Sequence, residues 1–424
     1  MTNVRDVSRR ELFTEWLTSV EDHHVSQHGD VPDVDPEIWT ISLTGDLGDP
    51  AEITVDELRE EYPSVTVAHT MECAGNGRAF FEGDTGSPNW TVGGVSTAFW
   101  TGVPIREVLE RYGALDDGGA ESDGDGGDGD GADSNGGSTD GDADSTDGDS
   151  ADADRTDADR WITAVGGDRP TDETAFARSI PVSKAADDCI LAYAINGDPL
   201  PLEHGKPVRV IVPGWYGVNS VKWVTELRVM DRMVVGDAWD DDLDRAHWQQ
   251  DRYRIHPADE EPTHRETVDT VDTEAQLHDA AVDHPYTFDQ LPKSIVGYPT
   301  DSETVAPRRD GQVEVLGMAW AGDAALETVE VSTDGGETWD EASFLGPDYA
   351  GAWRLFRFLW TPEPGDHTLV SRAADDRGRR QPPRLSDPVE RLDEAGADEF
   401  PWNQDGYGAN ASLPHAVEVT VASE

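Results

Sequence analysis

The sequence predicts an α+β protein: a mixed α/β domain over residues 1–290, followed by an immunoglobulin-like β-sandwich over residues 291–424. Three observations predict it. Before residue 290, apolar runs of strand length are interspersed with short helical patterns. One stretch, about residues 116–160, abandons that pattern altogether. From residue 291 onward, short alternating strands follow one another at turn-length intervals, the pattern of a sandwich.

In chain order, Glu11 to Val20 sets Leu12, Phe13, Trp16, Leu17 and Val20 on one side of a packing helix. The loop Glu21 to Pro32 carries His23, His24 and His28, three histidines in six residues. They invite a zinc site, but no second ligand cluster accompanies them. Asp35 to Trp39 leads into a strand, Thr40 to Leu43. The strand Ser64 to His69 delivers Cys73 to the end of a sheet, where open sheets hold ligands. Pro104 and Gly113 bound a helix running to Tyr112.

Asp116 to Arg160 holds no aliphatic side chain larger than Ala and no basic residue before Arg155. Such Asp/Gly/Ser composition cannot bury enough surface to offset chain entropy, so it reads as a disordered, solvated insertion. A calcium-binding Gly/Asp repeat needs a regular large apolar residue, and none is present. Structure resumes with Trp161 to Val165, Phe176 to Pro181, and the strands from Ile190 and Val208. Within Ser220 to Val229, the side chains of Val221, Trp223, Val224 and Leu227 read as core. Residues 257–290 form an acidic inter-domain connection. The sandwich strands are then Val313–Trp320, Leu326–Ser332, Trp353–Trp360, His367–Ala374 and Ala416–Val421, with Asp334-Gly335-Gly336 closing a hairpin.

The 424 residues suffice for two cores, and 14 Trp supply large packing surfaces. The formal net charge is -56, from 88 acidic and 32 basic residues, of which only four are Lys. Such self-repulsion strains a compact state in dilute buffer and is screened within ~3 Å at 1 M salt. The balance resembles that of an extreme halophile with molar salt in its cytoplasm. It argues against nucleic acid or an anionic membrane as partner, since both need a basic footprint. No stretch approaches the roughly 20 apolar residues of a membrane span. Arg9-Arg10 is followed by Glu11-Leu12-Phe13-Thr14-Glu15 rather than an apolar run, so it is not a twin-arginine signal and the expected location is cytoplasmic.

Cys73 and Cys189 are the only cysteines, which excludes a disulfide framework and any four-thiolate metal site. A Cys73–Cys189 disulfide stays open, disfavoured in a reducing compartment. Cys73 sits in Met71-Glu72-Cys73-Ala74-Gly75-Asn76-Gly77-Arg78, where small residues let a bulky group approach the backbone. A lone Cys by itself is commonly a buried, inert thiol. One beside an Arg also fits a reactive thiol or a ligand to a soft metal.

That block, with Trp100-Thr101-Gly102-Val103-Pro104, Ile190 through His204 to Arg209, and Val212-Pro213-Gly214 through Ser220 and Lys222 to Trp223, resembles the sulfite oxidase family of molybdopterin-dependent oxidoreductases. The resemblance covers nearly the whole chain outside the insertion and suits a haloarchaeal member without a haem domain. It implies a molybdenum–molybdopterin cofactor with Cys73 as the metal ligand. Pterin contacts are implied at His24, Val25, Ser26, Gln27, His28, Asp168, His204, Arg209, Ser220, Val221 and Lys222, where Arg offers a planar fork to phosphate and Lys a point charge. Arg78, Tyr253 and Arg354 match substrate positions; two guanidiniums and a phenol suit a small oxyanion. Taken singly, each reads as a surface ion pair or a core tyrosine. Ser26 stands where the family carries an Arg, so a positive charge expected for the substrate is missing.

The resemblance further implies two-electron oxygen-atom transfer, oxidising sulfite to sulfate. The metal carries the redox chemistry, and the protein holds and polarises it. No Cys-x-x-Cys-His haem site occurs, so a separate electron acceptor is expected. The second domain is expected to form a homodimer, with Trp402-Asn403 and Gly406-Tyr407-Gly408 as its terminal block. The missing charge at Ser26 also allows nitrate or an S- or N-oxide as substrate. A noncatalytic binding protein on a decayed scaffold is the alternative of another class, opposed by the intact Cys73, Arg78, His204, Arg209, Lys222 and Tyr253.

Overall fold

A computed structural model describes residues 16–48, 50–83, 85, 89–115, 160–170, 174–234, 249–250, 253–255, 271–277 and 285–423. The acidic insertion predicted at 116–160 lies outside these residues except for its last. Arg160 is buried, sits 3.9 Å from Asp46, and its carbonyl accepts the Val182 amide, so the insertion ends one residue earlier than composition suggests. The first half of the predicted 11–20 helix is likewise not described, and residues 16–20 are not helical. There Trp16 and Trp353 exchange indole-to-carbonyl hydrogen bonds of 3.1 and 2.7 Å, and Thr18 pairs with Thr97. Tertiary anchoring overrides a short helical pattern that has no cap.

Local signals fix the helices that form. Thr54 and Glu57 build a reciprocal capping box at the start of helix Val55–Glu61. Pro104 opens helix Ile105–Arg111, and Gly113 follows its end at φ 66°. Two five-stranded sheets share the core beneath them. The first runs Ala51–Thr54, Thr40–Gly45, Val224–Met230, Trp161–Gly166, Ala177–Pro181, with one parallel pair, Thr40–Gly45 against Val224–Met230. The second is antiparallel: Val65–Glu72, Val95–Pro104, Ile190–Ile195 and Asp198–Pro199, with Arg209–Ile211 also paired to Ile190–Ile195. Ile41, Leu43, Ile162, Ile180 and Leu227 of the first sheet meet Val103, Leu191, Val208 and Val210 in one apolar cluster.

Beyond residue 290 two sheets face each other. One runs Lys293–Tyr298, Val313–Trp320, Arg354–Trp360, Ser343–Leu345; the other Glu303–Val305, Val417–Val421, Gly365–Asp375, Leu326–Ser332, Asp340–Glu341. Val296, Val315 and Phe356 from the first pack against Val329, Val331, Leu369 and Val417 from the second, so alternate residues of each sheet build a sandwich core. Leu326–Ser332 pairs antiparallel with Asp340–Glu341, as a hairpin through Asp334-Gly335-Gly336 requires.

The chain after the last long sandwich hairpin turns back. Phe400, Trp402, Ala409 and Ala411 pack with Phe81, and Ile295, Met318, Trp320 and Trp353 pack with Val92 and Val95. Segments distant in sequence therefore close around the end of the Val65–Glu72 strand, where Cys73 emerges.

Candidate active site around Cys73

Leaving the strand, the Cys73 amide donates to Gly94 O at 2.8 Å, and Cys73 O accepts from Asn76 N at 2.9 Å. Beneath the loop, Glu72 is 1% exposed and accepts from Asn76 Nδ2 at 3.0 Å, Trp320 Nε1 at 2.8 Å and Lys293 Nζ at 3.0 Å. Lys293 also donates to Asn76 O at 2.8 Å. Such a paired, hydrogen-bonded charge leaves the tight turn few other conformations. A Cβ on Gly75 would lie 2.6 Å from Arg78 Nη2, so a side chain there would displace the Arg78 guanidinium. Burial pushes the Cys73 thiol above its ordinary value, and nearby Arg78 opposes the shift. Neither cysteine is in a disulfide.

Cys73 opens into a cleft between the two domains' segments that close around it. The loop His24, Val25, Ser26, Gln27 and His28 forms one wall. It is held by hydrogen bonds from the His24 amide to Ser96 Oγ, 2.9 Å, and between His24 Nδ1 and Ser96 Oγ, 3.1 Å. Next to it the lining is cationic. His204 ends a 3-10 turn, Arg209 begins the next strand, and Ser220 and Lys222 follow the return loop. Arg209 donates to His204 O at 3.0 Å and Ser220 O at 2.9 Å, while Lys222 donates to Glu203 O at 2.9 Å. Asp168 completes the lining.

Cations crowd here, with Asp168 and Glu203 as their carboxylate neighbours. Burial lowers Arg209 to about 9, and burial with repulsion from Arg209 lowers Lys222. His24, His28 and His204 are lowered chiefly by burial, and neighbouring cations add to it, so their imidazoles are neutral at ordinary pH. Gln27 Oε1, Asp168 Oδ1, His204 Nε2, Arg209 Nε and Trp90 Nε1 are buried without a hydrogen-bond partner, and all five residues face the cleft. Unsatisfied buried polar atoms beside Arg209 and Lys222 fit a polar, phosphate-bearing ligand. Together with a lone thiol, that donor set matches a pterin cofactor whose metal takes one protein sulfur.

At the other end of the cleft Tyr253 Oη and His28 Nε2 are 2.5 Å apart. Burial holds the Tyr253 phenol up at about 12, so it is protonated at neutral pH. Arg78 is 5% exposed; its Nε donates to Asp405 O at 2.5 Å and its guanidinium lies 5.3 Å from the Tyr407 ring centre. A Cβ on Gly406 would lie 2.6 Å from Arg78 Cγ.

Two expected site residues stand elsewhere. The Val221 side chain is fully buried in the apolar cluster between the sheets, so only its neighbours Ser220 and Lys222 face the cleft. Arg354 is not among the cleft-lining residues: its guanidinium stacks 3.9 Å from the Phe344 ring centre and pairs with Asp348 at 3.3 Å. It starts a sandwich strand whose neighbour carries Phe344, and that packing directs it away. The carboxy-terminal contribution comes instead from Tyr407. Tyr407 stacks on Tyr253 at 5.3 Å, and Gly408 N donates to Ala74 O at 2.8 Å. Sequence reasoning placed that glycine-flanked Tyr in a terminal block rather than in the site. It also passed over Arg178, a lone charge in an otherwise uncharged strand and the signal of a buried cation. Among the described residues there is no cluster of three metal-ligating His, Cys, Asp or Glu.

Residues 28–237 match the oxidoreductase molybdopterin binding domain family, and residues 286–389 the Mo-co oxidoreductase dimerisation domain family. The sulfite oxidase of Gallus gallus is 30% identical over 389 residues, 88% of this chain and 70% of that protein. The mitochondrial sulfite oxidase of Macaca fascicularis is 30% identical over 429 residues, 97% of this chain and 63% of that protein, so the chain spans under two thirds of that relative's length. An NAD(P)H nitrate reductase of Hordeum vulgare is 29% identical over 386 residues, 87% of this chain and 37% of that enzyme. The solved structure of the sulfane dehydrogenase SoxCD from Paracoccus pantotrophus shares the fold at a TM-score of 0.66 and 21% identity, covering 99% of this chain and 86% of that one. The thiol loop, the cationic cleft and these matches agree: the chain belongs to the sulfite oxidase family of molybdopterin-dependent oxidoreductases.

Proposed function

We propose that the protein is an oxidoreductase that oxidises sulfite to sulfate at a molybdenum–molybdopterin cofactor, passing electrons to a separate acceptor. The observation that carries this reading is a single thiol, Cys73, opening into the same cleft as Arg209, Lys222 and His204. Bound there, the cofactor supplies two-electron oxygen-atom transfer, and the protein supplies position and charge. Cys73 holds the metal. His204, Arg209, Ser220 and Lys222 hold the phosphate, with Asp168 and the His24–His28 loop against the pterin. Arg78 attracts the substrate anion, and Tyr253, whose Oη accepts from His28 as the Nε2–H tautomer, presents its one O–H to an oxygen of substrate or product. Residues 1–290 form the cofactor domain and 291–424 an immunoglobulin-like homodimerisation domain. No described helix is long and apolar enough to cross a membrane; a cytoplasmic location is part of the proposal.

Nitrate reduction is the second reading, favoured by Ser26 in place of the family's Arg. Both are tested on cofactor-loaded protein in molar salt, by sulfite-dependent reduction of an artificial acceptor and by nitrate-dependent oxidation of a reduced dye. Sulfite turnover without nitrate turnover supports the first; the reverse replaces it with the second. A loaded protein inert to both leaves the decayed-scaffold reading.

A further inference from the structure

The cleft's substrate end is built on a stack that neither composition nor motif announces. Arg78 lies 5.3 Å from the Tyr407 ring centre, Tyr407 stacks on Tyr253 at 5.3 Å and 20°, and Arg178 lies 4.5 Å from the Tyr253 ring centre. Arg178 is also 4.1 Å from the Phe176 ring, and Phe176 stacks on His28 at 5.7 Å. His28 returns to Tyr253 through the 2.5 Å hydrogen bond. Two guanidiniums thus bracket a tyrosine pair, and the inner one, Arg178, is entirely buried. Its Nη1 donates to Ala177 O at 2.6 Å, which fixes the plane of the fork behind the phenol.

Burying a guanidinium is costly, and ring faces return part of that cost. Arg178 lowers through its field both Tyr253 and His28, the two groups that face the cleft in front of it. Burial brings Arg178 itself down only to about 10, so it is charged at neutral pH. A fixed positive charge one ring behind the cleft surface raises the local concentration of anions and strengthens the phenol as a donor. Ser26, on the cleft's histidine wall, is the position where the family resemblance expects a cation.

We propose that Arg178 is a positioning residue that sets specificity for an oxyanion, holding Tyr253 by its ring face and supplying from behind the cleft the positive charge that Ser26 does not. This deepens the oxyanion reading above and rests on it. Arg178 does not touch the substrate; it acts through Tyr253.

The test uses cofactor-loaded wild type, Arg178→Met and Arg178→Lys in molar salt. Sulfite kinetics are followed with an artificial acceptor, and sulfate is titrated into the same preparations by calorimetry. Arg178→Met is expected to raise KM for sulfite roughly tenfold, the scale of one charge removed beside a partly desolvated site, with kcat moving less. Arg178→Lys is expected to recover most of that loss. An unchanged KM in Arg178→Met, or an equal rise in Arg178→Lys, overturns the proposal, because packing rather than charge is then what matters. Should Arg178→Met not fold, Arg178→Lys decides alone: a KM near wild type supports the charge role and a tenfold rise contradicts it. If wild type does not oxidise sulfite, the sulfite reading fails and the sulfate titration judges Arg178 by itself. Weaker binding in Arg178→Met with recovery in Arg178→Lys then keeps the proposal. Equal binding in all three, or none in wild type, removes it.

Discussion

At the scale of single residues, Lys222 shows how the cleft is prepared for an anion. Burial holds its ammonium below the ordinary lysine value of roughly 10.4. Across the window between the two values the unfolded chain binds a proton that the folded, cofactor-free protein does not. Stability of the cofactor-free protein therefore rises with pH through that window, and is lost as pH falls through the folded value. Asp168 beside it is raised by burial and acts on the acid side, outside this window. Arg209 adds to this rise, while the raised thiols of Cys73 and Cys189 oppose it; we therefore expect the urea midpoint of cofactor-free Lys222→Met to rise less, or fall more, than that of wild type between about pH 8 and about pH 10. A bound phosphate should act in the same direction, by keeping the ammonium protonated. An identical slope in wild type and variant would show that Lys222 carries no such strain.

At the scale of elements, the Cys73 turn is held from beneath by a residue of the sandwich. Lys293 opens the first sandwich strand and is 1% exposed, yet its ammonium pairs with Glu72, one residue before the thiol. Removing one partner of a buried pair strands the other and typically costs about 3–5 kcal/mol. Lys293→Met is therefore expected to lower the unfolding free energy, read from denaturant titration, by that order, whereas Lys293→Met with Glu72→Leu loses less. A double variant as unstable as the single one would contradict this account. Much of the element level was legible in sequence. The Pro104 and Gly113 limits of a helix, the strand delivering Cys73, and the sandwich strands are all local signals. His204, Arg209 and Lys222 were named by the family resemblance rather than by any local pattern, and the structure brings the three to one cleft. The places of Arg354, Val221 and Tyr407 were not legible, because a strand residue's side is set by register and by how the far segment folds back. No local pattern encodes that the Tyr253–Tyr407 stack joins residues separated by the entire sandwich. Over residues 16–20 the amino-terminal amphipathic pattern gives no helix for the same reason, Trp16 being committed to Trp353.

At the scale of the whole molecule, charge dominates. A formal charge of -56 acts on every compact state, while three of the cations, Arg178, Arg209 and Lys293, are buried. Screening lengths fall from about 10 Å at 0.1 M salt to about 3 Å at 1 M, so the repulsion is relieved over that range. The melting temperature is expected to rise steadily with KCl between those concentrations and not with an isosmotic neutral solute. A flat response to KCl would mean that the acidic surface carries little of the stability balance. The same arrangement leaves an electropositive cleft inside an electronegative body, where the cleft's own cations provide the local attraction for an anion.

The central claim is that Cys73 binds the metal of the cofactor, and absorption spectroscopy tests it most directly. Wild type and Cys73→Ser, compared in molar salt at equal molybdenum content, should differ in a thiolate-to-metal charge-transfer band in the visible region. The account predicts the band in oxidised wild type and its absence in Cys73→Ser; the same band in both would place the metal on some other ligand and contradict the assignment.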